Sequence, residues 1–312
     1  MNNNIPVLIA LLFFPGGLFV FALGLFYEWV DRKLVARLQN RVGPRWFQPL
    51  ADMVKLLAKE EITPQGVDRG LFYLLPILAL ASALATALYV PMAGLAPSFS
   101  FRGDLIVTVY MLSLLTICMG IAGANTLDRF SLVGATRILT QMFSYEAPFM
   151  LALLGPAIAA GSWQISDINR YAQAHPWDIL VLQIFGLAVA LIGMMGKLEL
   201  PPFDAPEAET EIVAGAMTEY SGRGYALFRL GKNVELIVAL TLVASFYLGG
   251  ISNPFEFLLK TLGLLLVMAV LQSLFARLRI DQTVGLWWRL GALLALANIL
   301  LVLVLRMKGI HL

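Results

Sequence analysis

Acidic side chains gather where this chain is otherwise apolar. One segment reads Gly196-Lys-Leu-Glu-Leu-Pro-Pro-Phe-Asp-Ala-Pro-Glu-Ala-Glu-Thr-Glu-Ile-Val-Ala-Gly-Ala-Met-Thr-Glu-Tyr-Ser-Gly222. With Glu235 just beyond it, it holds seven of the 20 acids: Glu199, Asp204, Glu207, Glu209, Glu211, Glu219 and Glu235. Like carboxyls crowded beside a membrane do not all ionise, so some pKa values should rise toward neutrality, and groups poised that way accept and release protons. Pro206 suits a first helical position. From there Glu207 and Glu211 share a face, with Asp204 just before the start and Glu209 pointing elsewhere. Acids in a first turn, at the positive end of the helix dipole, account for Asp204 and Glu207 without any function. They do not account for Glu211 and Glu219, which flank the apolar stretch 212–217.

Glu146, in Ser144-Tyr-Glu-Ala-Pro148, falls inside an apolar run. An intramembrane acid is expensive and marks a functional site by default; its bland alternative is a structural pair with Arg137. Glu235 has a bland alternative too, an interfacial pair with Lys232 one turn before it. Glu28 and Asp31 run into Arg32-Lys33 at the end of the first apolar run and read as interfacial charges. Arg37, Arg41 and Arg45 read as a topology signal and as candidates for docking an acidic partner surface.

The elements that must position these groups follow from composition. Of 312 residues, 59% are hydrophobic and 13% charged, whereas soluble domains are nearer half and a quarter. A core that size lacks a polar skin, which excludes a soluble globule, a disordered chain, a secreted disulfide scaffold and a nucleic-acid binder. The single cysteine, Cys118, makes no disulfide or thiolate metal site within the chain, and His175 and His311 stand far apart. Met-Asn-Asn-Asn before the first apolar run predicts no cleaved signal peptide. Runs of about 20 apolar residues predict an all-α integral membrane protein with eight spans near 5–27, 70–92, 104–125, 138–161, 178–196, 227–249, 257–276 and 286–306. No internal repeat or low-complexity linker interrupts them, so 1–312 is expected to be one polytopic membrane domain. Seventeen of the 22 Lys and Arg lie between spans 1–2, 3–4, 5–6 and 7–8 or at the adjoining span ends. The positive-inside rule then puts those segments in the cytoplasm and both termini outside. Between the first two spans, Leu50, Met53, Val54 and Leu57 recur at helical spacing behind Pro49, predicting an amphipathic helix over 49–60 that lies in the membrane interface or packs on a partner subunit.

Several stretches together resemble a known family: Asp31-Arg-Lys33 with Gln39-Asn-Arg-Val-Gly-Pro44; Gln48-Pro-Leu-Ala-Asp-Met-Val-Lys-Leu-Leu-Ala-Lys-Glu60; Ser144-Tyr-Glu146; Pro202-Phe-Asp-Ala-Pro-Glu-Ala-Glu-Thr-Glu-Ile-Val-Ala-Gly215 with Glu219-Tyr-Ser-Gly222; and Arg277-Leu-Arg-Ile-Asp-Gln282. They are similar to the H-type, mitochondrial subunit-one-like membrane subunit shared by respiratory complex I and the energy-converting membrane-bound nickel–iron (NiFe) hydrogenases. The resemblance spans nearly the whole chain, always on the side assigned to the cytoplasm. It implies eight transmembrane helices placed between a peripheral electron-transfer arm and antiporter-like pumping subunits, in the plasma membrane of a bacterium or archaeon. It also implies an acidic funnel of Asp31, Glu146, Asp204, Glu207, Glu209, Glu211 and Glu219, to which the residue reading adds Glu235.

Two departures favour the hydrogenase branch. Arg45-Trp46-Phe47 passes straight to Gln48-Pro49 where quinone-reducing members carry a longer insert, and Lys197-Leu-Glu-Leu200 stands where they tend to read Glu-Thr-Asn-Arg. The expectation is therefore a subunit of a ferredoxin-linked, hydrogen-evolving complex. It is expected to hold no cofactor itself and to couple electron transfer to translocation of a proton or sodium ion. The resemblance implies its partners: hydrogenase-like large and small subunits that carry the nickel–iron centre, an iron–sulfur subunit, and antiporter-like membrane subunits. The alternatives are a quinone-site subunit, with Glu28, Arg41, Arg45 and Trp46 at a tunnel mouth, and a scaffold anchor whose acids are structural.

Overall fold

The computed structural model describes residues 10–307, apart from the side chain of Glu209. The predicted start of the first span at 5–9, the two chain ends and His311 lie outside the described residues. Every regular element described is helical. In chain order they are α1 (Gly17–Leu38), α2 (Gln48–Ala58), α3 (Arg69–Ala87), α4 (Asp104–Asn125), α5 (Arg129–Ala160), α6 (Ile165–Ala174), α7 (Pro176–Leu182), α8 (Ile184–Lys197), α9 (Glu209–Ile212), α10 (Gly222–Tyr247), α11 (Pro254–Leu274), α12 (Ile280–Leu286) and α13 (Ala292–Met307).

Six helical stretches are long and apolar enough to cross a bilayer: Ala10–Leu38, Arg69–Gly94, Asp104–Asn125, Arg129–Ala160, Pro254–Leu274 and Ile280–Met307. The last unites α12 and α13 through a π-helical turn at Trp287–Gly291. A seventh crossing results if α7 and α8 count as one span, but the chain bends by 78° between them. The straight fifth span expected over 178–196 is thus broken, because the helix stops at Gln183 and restarts in a new direction. The sixth expected span falls on α10, whose residues 237–247 are all buried among the other helices. This central helix carries Lys232 and Glu235 into the bundle.

The first span also differs from expectation. Its helix runs to Leu38 rather than ending near residue 27, so Glu28 and Asp31 sit in mid-helix against α10 and α11. The amphipathic helix forms as expected over Gln48–Ala58 with Pro49 in its first turn. Pro49 and Met53 face the protein, while Leu50, Val54 and Leu57 form an exposed apolar row.

Within lipid every backbone polar group needs a partner, so interior prolines need compensation. Pro76 in α3 lacks the N–H that would serve the Phe72 carbonyl, and the Tyr220 hydroxyl donates to that carbonyl at 3.3 Å. Pro156 in α5 frees the Ala152 carbonyl in the same way, and the Tyr247 hydroxyl donates to it at 2.6 Å. Asp68 and Asp128 cap the starts of α3 and α5, accepting from Gly70 and Leu71 and from Phe130 and Ser131.

Candidate functional site

The acidic segment is a folded plug, not a helix starting at Pro206. Its only α-helical turn is α9, followed by a 3-10 turn at Gly215–Met217. The plug is pressed onto α5: a Cβ on Gly134 would lie 2.3 Å from the Ala216 backbone nitrogen, and one on Gly215 would lie 2.1 Å from the Pro206 carbonyl oxygen. Gln141 of α5 pins its start by donating to the carbonyls of Gly196 at 3.0 Å and Phe203 at 2.8 Å. The turn folds Glu207 and Glu211 toward different basic partners, so the shared helical face does not exist.

One group of acids surrounds a cavity of about 370 Å³ between α1, α10 and the plug. Glu28, Asp31, Glu199 and Glu207 line it, with Arg32, Arg229 and Lys232 interleaved. Glu28 is held by Arg229, by Arg32 at 2.5 Å and by the Asn233 amide at 2.8 Å. Asp31 accepts from Gln272 of α11 at 3.1 Å. Lys232 bridges Glu199 and Glu207, the latter at 2.8 Å. Lys232 therefore does not pair with Glu235, because the start of α10 turns its ammonium toward the plug.

Immediately behind lies a second cluster, in which Lys197 and Glu235 are fully buried and Glu146 is partly buried. The Lys197 side chain, with no exposed surface, places its Nζ 3.5 Å from Glu146 Oε2 and 4.0 Å from Glu235 Oε1. Glu146 also accepts from Ser113 Oγ, and Lys197 Nζ lies 3.3 Å from that oxygen and 5.7 Å from the centre of the Tyr145 ring. Glu146 is thus paired with Lys197 rather than Arg137. Both carboxylate oxygens of Glu235 lack a hydrogen-bond partner among the described residues.

A third group sits apart. Arg277 grips Asp204 with two hydrogen bonds, at 2.9 and 2.6 Å. Glu211 accepts from Arg137 at 2.8 Å, with Arg277 3.8 Å away. Arg137, Glu211 and Arg277 border a cavity of about 690 Å³ that Arg279 and Asp281 also line. Glu219 is half-buried at the far end of the plug, without an ion pair among the described residues. Glu209, the remaining acid of the expected funnel, has a side chain outside the described residues. Arg41, Arg45 and Trp46 are exposed on the 40–47 segment and line neither cavity, so they do not form a mouth with Glu28.

Charge pairing, not crowding, sets the proton affinities of the plug. Lys232 holds Glu207 below the ordinary glutamate value of 4.5, outweighing the effect of burial. Arg137 likewise lowers Glu211. Only Glu199 is raised, by burial, with Lys232 opposing the shift. The rise expected for some of these acids thus occurs at Glu199, where burial causes it, and not at Glu207 or Glu211, each of which has its own cation.

The lysines are what sequence reasoning misses. By sequence Lys197 counts only as a topology charge and Lys232 as that or as a partner for Glu235, although Lys197 ends an unbroken apolar run from Ile184. Glu199 is visible there as one acid of the segment, with nothing to assign it to the path.

Fold and site together define a polytopic membrane protein with buried, alternating acids and bases. The chain belongs to the NADH dehydrogenase family, whose model matches residues 9–303. It is 36% identical to the H-type chain of NADH-quinone oxidoreductase from Thermomicrobium roseum, covering 91% of this chain and 92% of that one. It is also 36% identical to an H-type chain of the same oxidoreductase from Geobacter metallireducens, covering 94% and 93%. In fold it matches a chain of the membrane-bound sulfane sulfur reductase, an archaeal respiratory membrane complex, with a TM-score of 0.83 and 22% identity over 91% of this chain and 96% of that one. It is a multi-pass protein of a bacterial or archaeal plasma membrane.

Proposed function

We propose that this chain is a non-redox subunit of a multi-subunit oxidoreductase and couples electron transfer in a peripheral arm to ion translocation. The observation that carries this reading is the buried Lys197, shared between Glu146 and Glu235 at 3.5 and 4.0 Å. Two carboxylates and one ammonium carry one net negative charge, which a single arriving proton cancels. The near-equal distances give the ammonium two alternative partners, the kind of two-state element that coupling requires. The cavity lined by Glu28, Asp31, Glu199 and Glu207 is the cytoplasmic approach, and Lys232–Glu199 is the step between the approach and the Lys197 cluster. In this reading α10 is the enclosed crossing among eight, both termini lie outside, and the exposed row of α2 rests on lipid or on a partner.

Replacing Glu235 by Gln in the intact complex tests the relay. Ion translocation per electron should fall about ten-fold while electron transfer under uncoupled conditions and assembly persist; unchanged translocation would leave the chain a scaffold.

The terminal acceptor belongs to a partner subunit. Lys197-Leu-Glu-Leu200 and the short 45–48 connection favour a ferredoxin-linked, hydrogen-evolving complex with a nickel–iron site and iron–sulfur clusters in the peripheral subunits. A quinone is the second reading, supported by the names of the similar oxidoreductase chains and by the position of Glu28 and Asp31 on the cavity. Nickel analysis of the natively purified complex separates the two: about one atom per complex supports the first, and none supports the second.

A further inference from the structure

The break between α7 and α8 places a second polar centre in the outer half of the bundle, away from every acid discussed above. Gln183 at the break and Asn298 of α13 are both completely buried, and none of their four amide nitrogen and oxygen atoms has a hydrogen-bond partner among the described residues. They point into one place. An ideal Cβ on Gly155 would lie 2.6 Å from Asn298 Nδ2 and 2.7 Å from Gln183 Oε1. One on Gly186 would lie 2.7 Å from Asn298 Nδ2 and 2.8 Å from the Tyr247 hydroxyl. Glycine at both positions is what lets two amides and a phenol converge among four helices.

The chemistry of these groups requires a further partner. Each carboxamide offers two donors and one carbonyl acceptor. A hydrogen bond between the two would still leave one carbonyl and one NH2 group without their complement. The Tyr247 hydroxyl already spends its proton on the Ala152 carbonyl that Pro156 leaves free, so it offers only its lone pairs. An unsatisfied amide in hydrocarbon is costly, and a small molecule that both donates and accepts satisfies all three side chains. Water has that chemistry, and irregular backbone at membrane depth occurs where it is buried in protein or lines a hydrated cavity.

The place is also aligned with the acids. Gly155 is nine residues beyond Glu146 on α5, about 13 Å at 1.5 Å per residue. Tyr247 is twelve beyond Glu235 on α10, about 18 Å on the same rise. An apolar layer separates the two centres. In it Phe149 packs on Gly193, whose Cβ would lie 2.8 Å from the ring.

We propose that Gln183, Asn298 and Tyr247 form a water-binding site at the helix break and that this site is the outer station of the translocation path. The proposal rests on the relay reading of Glu146, Lys197 and Glu235, with the Phe149 layer as the barrier between inner and outer stations.

The test uses the intact complex in sealed membrane vesicles, with Gln183→Leu/Asn298→Leu, the single Gln183→Met where the double variant does not assemble, and Glu235→Gln as reference. Translocation per electron should fall about ten-fold in the amide variants, while uncoupled electron transfer stays within about two-fold. A density map of the unaltered complex should place water within hydrogen-bond distance of both amides. Unchanged translocation in the amide variants beside a defective Glu235→Gln overturns the outer station and leaves the relay standing. A map in which the amides are satisfied by protein atoms alone overturns the water site. Unchanged translocation in Glu235→Gln overturns the relay, and the outer station falls with it.

Discussion

Replacing Lys197 by Met removes the cation shared by Glu146 and Glu235 while keeping the length of the side chain. At an effective dielectric of about 20, charges 3.5 and 4.0 Å apart attract by roughly 4–5 kcal/mol each, before desolvation of the partners is subtracted. Taking one member from a buried ion pair typically destabilises by about 3–5 kcal/mol, because the remaining charge is left uncompensated. For a chain of this size that corresponds to a fall in Tm on the order of 5–10 °C. Thermal unfolding of the purified complex reads this directly, and translocation per electron reads the relay in the same preparation. The triple variant Glu146→Gln/Lys197→Met/Glu235→Gln separates the two effects. It removes the uncompensated charge, so most of the lost stability should return, as it does when buried ion pairs are replaced as a unit. Translocation should stay abolished, because no titratable group remains. A Lys197→Met protein with wild-type Tm and wild-type translocation would refute the reasoning, as would a triple variant that pumps.

Three further outcomes are expected. Arg277→Ala should loosen the Asp204 end of the plug by about 1 kcal/mol, the figure being reduced by solvent screening of a partly exposed pair, and limited proteolysis within 199–211 checks it. Gly134→Ala pushes a methyl into the Ala216 backbone at 2.3 Å; an overpacking penalty of about 1–3 kcal/mol should appear in thermal unfolding, with translocation impaired because the plug shifts. The pairing of Glu207 with Lys232 adds a stabilisation with a definite pH sign. Its pKa is depressed on folding, so the contribution is complete above the ordinary value of 4.5 and is lost only as pH falls through the lowered one. Hydrogen exchange of the plug should therefore stay protected down to about pH 4.5, and release well above that pH would contradict the pairing.

Much of this site was legible in the sequence, for a physical reason. A carboxylate such as Glu146 or Glu235 in an apolar run is costly enough to stand out, and an amphipathic row such as Leu50, Val54 and Leu57 has a period that reads directly. What pairs with what was not legible. Lys232 lies one turn from Glu235, so local spacing predicts that pair, yet the lysine reaches Glu199 and Glu207, 33 and 25 residues away in sequence. Glu28 likewise depends on Arg229 and Asn233, more than 200 residues further along. The break at Gln183 escaped because span arithmetic counts apolar residues and does not register direction; a lone glutamine between Leu182 and Ile184 was its only trace.

The geometry of α8 and α10 bears on how a change at the cavity reaches the membrane interior. The two helices meet near the plug, α8 ending in Lys197 with Glu199 following, while α10, which begins at Gly222, carries Lys232 and then Glu235. Since the two run in opposite directions there, the deeper members face each other, Lys197 with Glu235, and the shallower ones face each other, Glu199 with Lys232. Signs alternate along and across this ladder, so neutralising one rung changes the balance of the next. A proton on Glu199 leaves Lys232 compensated by Glu207 alone, so its positive field on Glu235 strengthens. The Arg137–Glu211 and Arg277–Asp204 pairs cannot transmit in this way: each acid there is gripped by guanidinium groups that stay protonated at any physiological pH. In the proposed relay they anchor the plug, and the two lysines are the charges that change partners.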